Sequence, residues 1–192
     1  MKARILSVAV IAGLLALGFL PPQPALAQEK ENEYGPLLKV LSNSKHSLAD
    51  GVRQATKSSE VPISAKFELD DSGKLSLSVY TAENGLNTDA EHNVLKELGG
   101  SPEEATWNPG IEVFKDPEHL KRAAEQQTLM ALSSMSLLDV IAKAQKQQRG
   151  TVFSVTPVVV NHQPKFNVLL TNNGQVIALA YDLRGNIVRS QK

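Results

Sequence analysis

An α+β fold of two repeated units, each a helix packed on a small antiparallel sheet, is predicted by three observations on this 192-residue chain. The segment Leu38–Ser42 resembles Leu129–Ser133, and Ser47-Leu48-Ala49-Asp50 resembles Ser136-Leu137-Leu138-Asp139, 89 positions on. Both tetrapeptides carry a serine N-cap and an acid at the third helical position, which is how a helix start is marked. Each is followed by stretches in which apolar and polar residues alternate, the period of a half-buried strand.

At the N-terminus, Lys2 and Arg4 precede an apolar run from Ile5 to Leu20 that Pro21 and Pro22 close. A basic start, an apolar centre shorter than a membrane span and the small-residue site Ala25-Leu26-Ala27 form a signal peptide pattern, so residues 1–27 are expected to be removed after Ala27 and the product to be periplasmic. Residues 28–35, rich in Glu, Lys and Asn, are expected to be a disordered tail. The first unit then spans 36–116. Its helix starts at Ser47, and its hairpin alternates Ile63, Ala65, Phe67 and Leu69 with polar residues, turns at Asp71-Ser72-Gly73, and returns through Leu75, Leu77 and Val79.

Residues 82–116 interrupt that unit. Thr88-Asp89-Ala90-Glu91 fits a capping box for a helix ended by Gly99-Gly100, Ser101-Pro102-Glu103-Glu104 fits a second helix start, and Ile111–Phe114 is expected as a displaced third strand. Asp116-Pro117-Glu118, with a cap, proline at the first position and an acid in the first turn, opens a linking helix over 117–134.

The second unit, 135–192, is complete. Leu137, Val140, Ile141 and Ala144 recur at helical spacing, and Arg149-Gly150 supplies the stop. Strands are expected over Val152–Asn161 and Phe166–Thr171 around a His162-Gln163-Pro164 turn, then over Val176–Asp182 after Asn172-Asn173-Gly174, with a short last one after Arg184-Gly185-Asn186. Lys74–Leu77 and Lys165–Val168 match at a spacing of 91, which a two-residue slip in a loop would explain.

With these elements in place, Ser136–Val188 resembles a PepSY domain: an opening helix, a glycine, strands joined at Asn172-Asn173-Gly174, and the closing Tyr181-Asp182-Leu183-Arg184-Gly185-Asn186-Ile187-Val188. Leu48–Tyr80 resembles a first, interrupted copy without the Asp-x-x-Gly ending. The resemblance implies a non-catalytic module of bacterial envelope and secreted proteins. In metallopeptidase precursors such modules lie in the propeptide and are thought to restrain the protease, so an envelope or secreted protein such as a peptidase is the implied partner.

Composition narrows the functional classes. Loss of Lys2 and Arg4 with residues 1–27 takes the 20 basic groups to 18 against 20 acids, a balance that favours neither nucleic acid nor an anionic membrane. Cysteine is absent, which excludes disulfides, thiolate metal ligands, cysteine nucleophiles and a lipid-modified cysteine. His46, His92, His119 and His162 fall in no His-Glu-x-x-His spacing, and no Gly-x-Ser-x-Gly elbow is present, so no catalytic residues or resident cofactor are expected.

A metal cation, calcium or a trivalent ion held by surface carboxylates, is the alternative ligand. Asp116, Glu118 and His119 form one candidate ligand set, beside the plainer reading of a helix cap. Asp70 and Asp71 beside Gly73 form another, for a hard cation such as calcium, beside the reading of an exposed turn. Trp107, the only tryptophan, is a candidate partner-binding residue if exposed and a core residue if not.

Overall fold

The computed structural model describes residues 25–56 and 60–188. The proposed signal peptide falls largely outside that range; its last residues, Ala25–Ala27, open helix α1 (Ala25–Val40). Residues 28–35, expected as a disordered tail, lie within α1. Polar composition hid the helix because its anchors lie at and beyond the tail's end: Tyr34 sets its ring 5.5 Å from that of Phe153, and Leu37 and Leu41 are buried.

Helix α2 (Leu48–Ala55) and helix α4 (Leu137–Gln147) start as their sequences predict. Ser47 Oγ accepts from the Asp50 amide at 3.2 Å while the Ser47 amide donates to Asp50 Oδ2 at 2.9 Å. Ser136 and Asp139 repeat that pair at 3.2 and 3.0 Å. Helix α3 (Pro117–Ala131) begins on an Asp116 cap with Pro117 in its first turn.

The strands form one antiparallel sheet of seven: β1 (Val61–Leu69), β2 (Leu75–Ala82), β3 (Leu95–Gly100), β4 (Gly110–Val113), β5 (Thr151–Val160), β6 (Gln163–Asn172) and β7 (Gln175–Tyr181), in the order β4-β3-β2-β1-β5-β6-β7. The class is therefore α+β, with a single sheet in which β1 meets β5 at Ala65–Val155 and Lys66–Ser154. Both strands are bulged, between Pro62 and Ser64 and between Val152 and Ser154. Counted from the bulges, the Phe67–Leu77 pair sits where Pro157–Phe166 does, so the match of Lys74–Leu77 with Lys165–Val168 is two residues out of register.

Cross-strand register sorts the core by face. Phe67, Leu77, Ala65, Val79, Val155 and Val168 share one side, all 3% exposed or less, with α2 pressed so close that a Cβ on Gly51 would lie 2.6 Å from Leu77. Tyr80, Ala82 and Leu95 line the other side, where Phe114 packs edge-on to Tyr80 at 5.4 Å and stacks on His119 of α3.

Two turns carry positive φ at both central residues, the twist-matched hairpin form. One is Asn173-Gly174, and the other is Asn161-His162, one residue before the turn expected at His162-Gln163-Pro164. Residues 82–116 depart most from expectation. A single 3-10 turn, Ala90–His92, replaces the helix expected from Thr88, and Leu95–Gly100 is instead the third strand. Ser101–Glu104 opens no helix, and Gly110–Val113 is a fourth strand at the sheet edge.

Candidate functional site

The β3–β4 end of the sheet is assembled from groups far apart in the chain. The loop leaving β3 is tied down by the Lys45 amide to the Pro102 carbonyl at 2.9 Å, His46 Nε2 against the Glu104 carbonyl at 2.9 Å, and Gln54 Nε2 to the Trp107 carbonyl at 2.6 Å. Trp107 is 1% exposed, and its Nε1 donates to the Gly100 carbonyl at 3.2 Å. Its indole is thus a core element that holds the loop, not a surface contact for a partner. A Cβ at Gly100 would meet Pro109 Cα at 3.2 Å, so the loop returning towards β4 packs tightly on the glycine backbone.

On one face of β3, Lys96 lies between Glu83 Oε2 at 2.8 Å and Glu60 Oε1 at 3.3 Å, and Thr81 Oγ1 donates to Glu60 at 2.7 Å. Burial pulls the Lys96 ammonium down, but the hydrogen bonds and charges of Glu83 and Glu60 outweigh it and leave its pKa raised. The opposite face carries Glu97 directly across from Glu112 of β4. Burial raises the Glu97 pKa; Ser78 and Lys66 oppose the shift, while Glu68 and Glu112 add to it. Beside this acidic pair, Gly99 faces Gly110, and the Glu97 carboxylate lies over Gly99, where a Cβ would come within 2.9 Å of Oε1.

β4 is the outermost strand, and no described residue pairs with its outer side. The Phe114 amide donates to the Leu95 carbonyl at 3.0 Å, which makes Phe114–Leu95 a hydrogen-bonded pair. In an antiparallel ladder such pairs alternate, so Glu112 and Gly110 also bond inward to β3, while Ile111 and Val113 turn their N–H and C=O groups outward. These two residues are also exposed apolar side chains, at 60% and 45%. Open hollows of about 290 Å³, over Glu97, Gly99, Gly110, Ile111 and Glu112, and about 530 Å³, over Ile111–Val113, Lys115 and Asp116, adjoin the strand.

The residues singled out as metal ligands are placed otherwise. Asp116 spends one oxygen on the His119 amide at 3.0 Å and the other on His119 Nδ1 at 2.8 Å; Glu118 is exposed, and the three do not converge as a ligand group. Asp70 Oδ1 accepts from the Ser72 amide, the Ser72 hydroxyl and the Lys74 amide at 2.7–2.9 Å, closing the turn that includes Asp71. The Ser72 hydroxyl leads the contacts that hold the Asp70 carboxyl below its ordinary value. Sequence reasoning missed the group that does converge, Asp89, Glu91 and His92, whose ligand atoms lie within 4.8 Å of one another on the exposed 3-10 turn. Its signal was Asp-x-Glu-His within four residues, legible once a turn rather than a long helix is assigned there.

No family model matches the chain, the PepSY model included, and no curated protein matches it. One solved structure, a Clostridium difficile chain described as a "putative lipoprotein", aligns with 14% identity and a TM-score of 0.36 over 68% of this chain and 81% of its own; at that score it assigns neither fold nor function. Among the described residues no helix is long and apolar enough to cross a membrane.

Proposed function

We propose that this is an exported, periplasmic, non-catalytic binding protein that takes an extended segment of another polypeptide onto the free edge of β4. The observation that carries the reading is the outward set of backbone groups at Ile111 and Val113, flanked by the same residues' exposed side chains. Natural sheets usually blunt or cover such an edge, and strand addition is a common way to recognise a peptide there. The PepSY-like motifs fit this picture, with the partner an envelope or secreted protein such as a peptidase. Two copies of one unit, marked by the Ser47 and Ser136 capping boxes and the paired bulges, then make up the sheet, with β3 the counterpart of β7 and β4 the strand that the first copy adds.

Val113→Pro tests the edge. Proline removes an outward N–H while the inward bonds of Glu112 and Phe114 remain, so the fold is expected to persist. Amide hydrogen exchange with an extended peptide present should protect Ile111 and Val113 in the natural protein, and the variant should lose the binding. Peptide binding that leaves both amides unprotected refutes the reading. Unchanged casein digestion by a secreted metallopeptidase in its presence removes the peptidase part.

The cation reading now rests on Asp89, Glu91 and His92, because their ligand atoms are the ones brought together. Calorimetric titration with calcium, which would use the two carboxylates, and with zinc, which also accepts the imidazole, tests it: one ion per chain, lost in Glu91→Gln, supports it, and binding of neither ion removes it.

A further inference from the structure

Resting on the β4-edge reading, we infer that the segment the edge accepts is an extended strand carrying a lysine or arginine between two apolar residues, with the basic side chain seated opposite Glu112. The register decides which residue goes where. In an added antiparallel strand the residue across from Glu112 occupies a non-hydrogen-bonded position, where Cα atoms stand about 4.5 Å apart and side chains are closest. Its side chain then lies on the face of Glu112 and Glu97, over the slot that Gly99 and Gly110 leave without side chains.

Two carboxylates directly opposite each other repel. Glu97 is already held towards its neutral form by burial and by the nearby Glu68 and Glu112 charges. A cation entering the slot relieves that repulsion and pairs with both. The residues one place either side of it turn to the other face, beside the exposed side chains of Ile111 and Val113, and there apolar groups bury the most surface.

The same geometry disfavours a second copy of this chain as occupant. Self-pairing centred on Glu112 sets Glu112 against its own counterpart at the closest approach. Self-pairing centred on Ile111 brings Pro109, which has no N–H, opposite Val113.

The test uses the purified protein and three nine-residue peptides of alternating threonine and valine, with the central threonine kept or replaced by lysine or glutamate. Fluorescence anisotropy at low salt should show the lysine peptide binding about 10-fold more tightly than the glutamate one, the size of one favourable and one unfavourable cross-strand charge pair. In Glu112→Lys, an exposed change whose folding is checked by circular dichroism, the order should reverse. Equal binding of all three, blocked by Val113→Pro, overturns the inference and leaves the edge reading standing. No binding, or binding that Val113→Pro leaves intact, overturns both. Self-association that Val113→Pro abolishes, with no peptide bound, assigns the edge to a second copy and overturns the inference.

Discussion

Replacing Lys96 with methionine tests how the β3 end of the sheet is held. Methionine keeps the length of the stem and removes the charge, leaving Glu60, 5% exposed, with Thr81 as its remaining polar contact among the described residues. Breaking a buried pair on one side costs about 3–5 kcal/mol. Because Glu83 is 44% exposed and brings water to one flank, the lower end applies, about 3 kcal/mol. For a chain of this size that lowers the melting temperature by about 6–12 °C. Urea unfolding at pH 7, followed by far-ultraviolet circular dichroism, measures the loss. Adding Glu60→Gln should return about 2 kcal/mol, since the stranded charge is then gone. The Lys96 pKa is raised on folding, so its contribution is complete below about pH 10.4 and is lost as pH rises through the folded value. The stability difference between natural protein and variant should therefore shrink at alkaline pH. A loss under about 1 kcal/mol at pH 7, or no recovery in the double variant, refutes the assignment of Lys96 as the buried countercharge.

Three further outcomes follow from the α4 cap and one glycine. Ser136→Ala removes a capping hydroxyl and should cost about 1 kcal/mol in a thermal melt. Hydrogen bonds from the Ser136 side chain and amide hold Asp139 below the ordinary carboxylate range, so its stabilisation is present above about pH 3.9 and is lost as pH falls through the lowered value; Asp139→Asn should flatten the acid limb of the stability curve. Gly150 has φ +146°, and a Cβ there would lie 2.4 Å from the Thr171 carbonyl oxygen, so Gly150→Ala should cost about 3 kcal/mol in urea unfolding.

The parts legible in the sequence are those whose signal is local. A serine, two residues and an aspartate fix a helix start wherever they stand, and Asp116-Pro117 does the same. Alternation fixed the hairpin strands for the same reason. β3 was misread because Leu95 and Leu98, three apart, mimic one face of a helix, whereas in the sheet they point to opposite faces that are both covered. Lys96 compounds the error: its burial depends on Glu60 and Glu83, neither of them its neighbour in sequence. The candidate site lay within the interrupted stretch that the sequence had already set apart, but its two acids and two glycines converge only through register, which tertiary pairing decides. The helical course of 28–35 was not legible because composition describes a segment's own residues and not the ring of Phe153 that Tyr34 packs on.

The β1–β5 seam also governs how the chain reaches this fold. Every other ladder in the sheet joins strands that follow one another in sequence, while this one closes a stretch of about 90 residues through two register pairs and the Ser64 hydroxyl, which donates to the Val155 carbonyl at 3.4 Å. Closure cost grows only with the logarithm of loop length, so the seam burdens the rate of folding more than the final stability. The hairpins on either side can form first and wait. At high concentration, a β1–β4 half that meets the β5–β7 half of another molecule finds the same contacts as in its own, which makes strand exchange at the seam the natural misassembly of this chain during refolding.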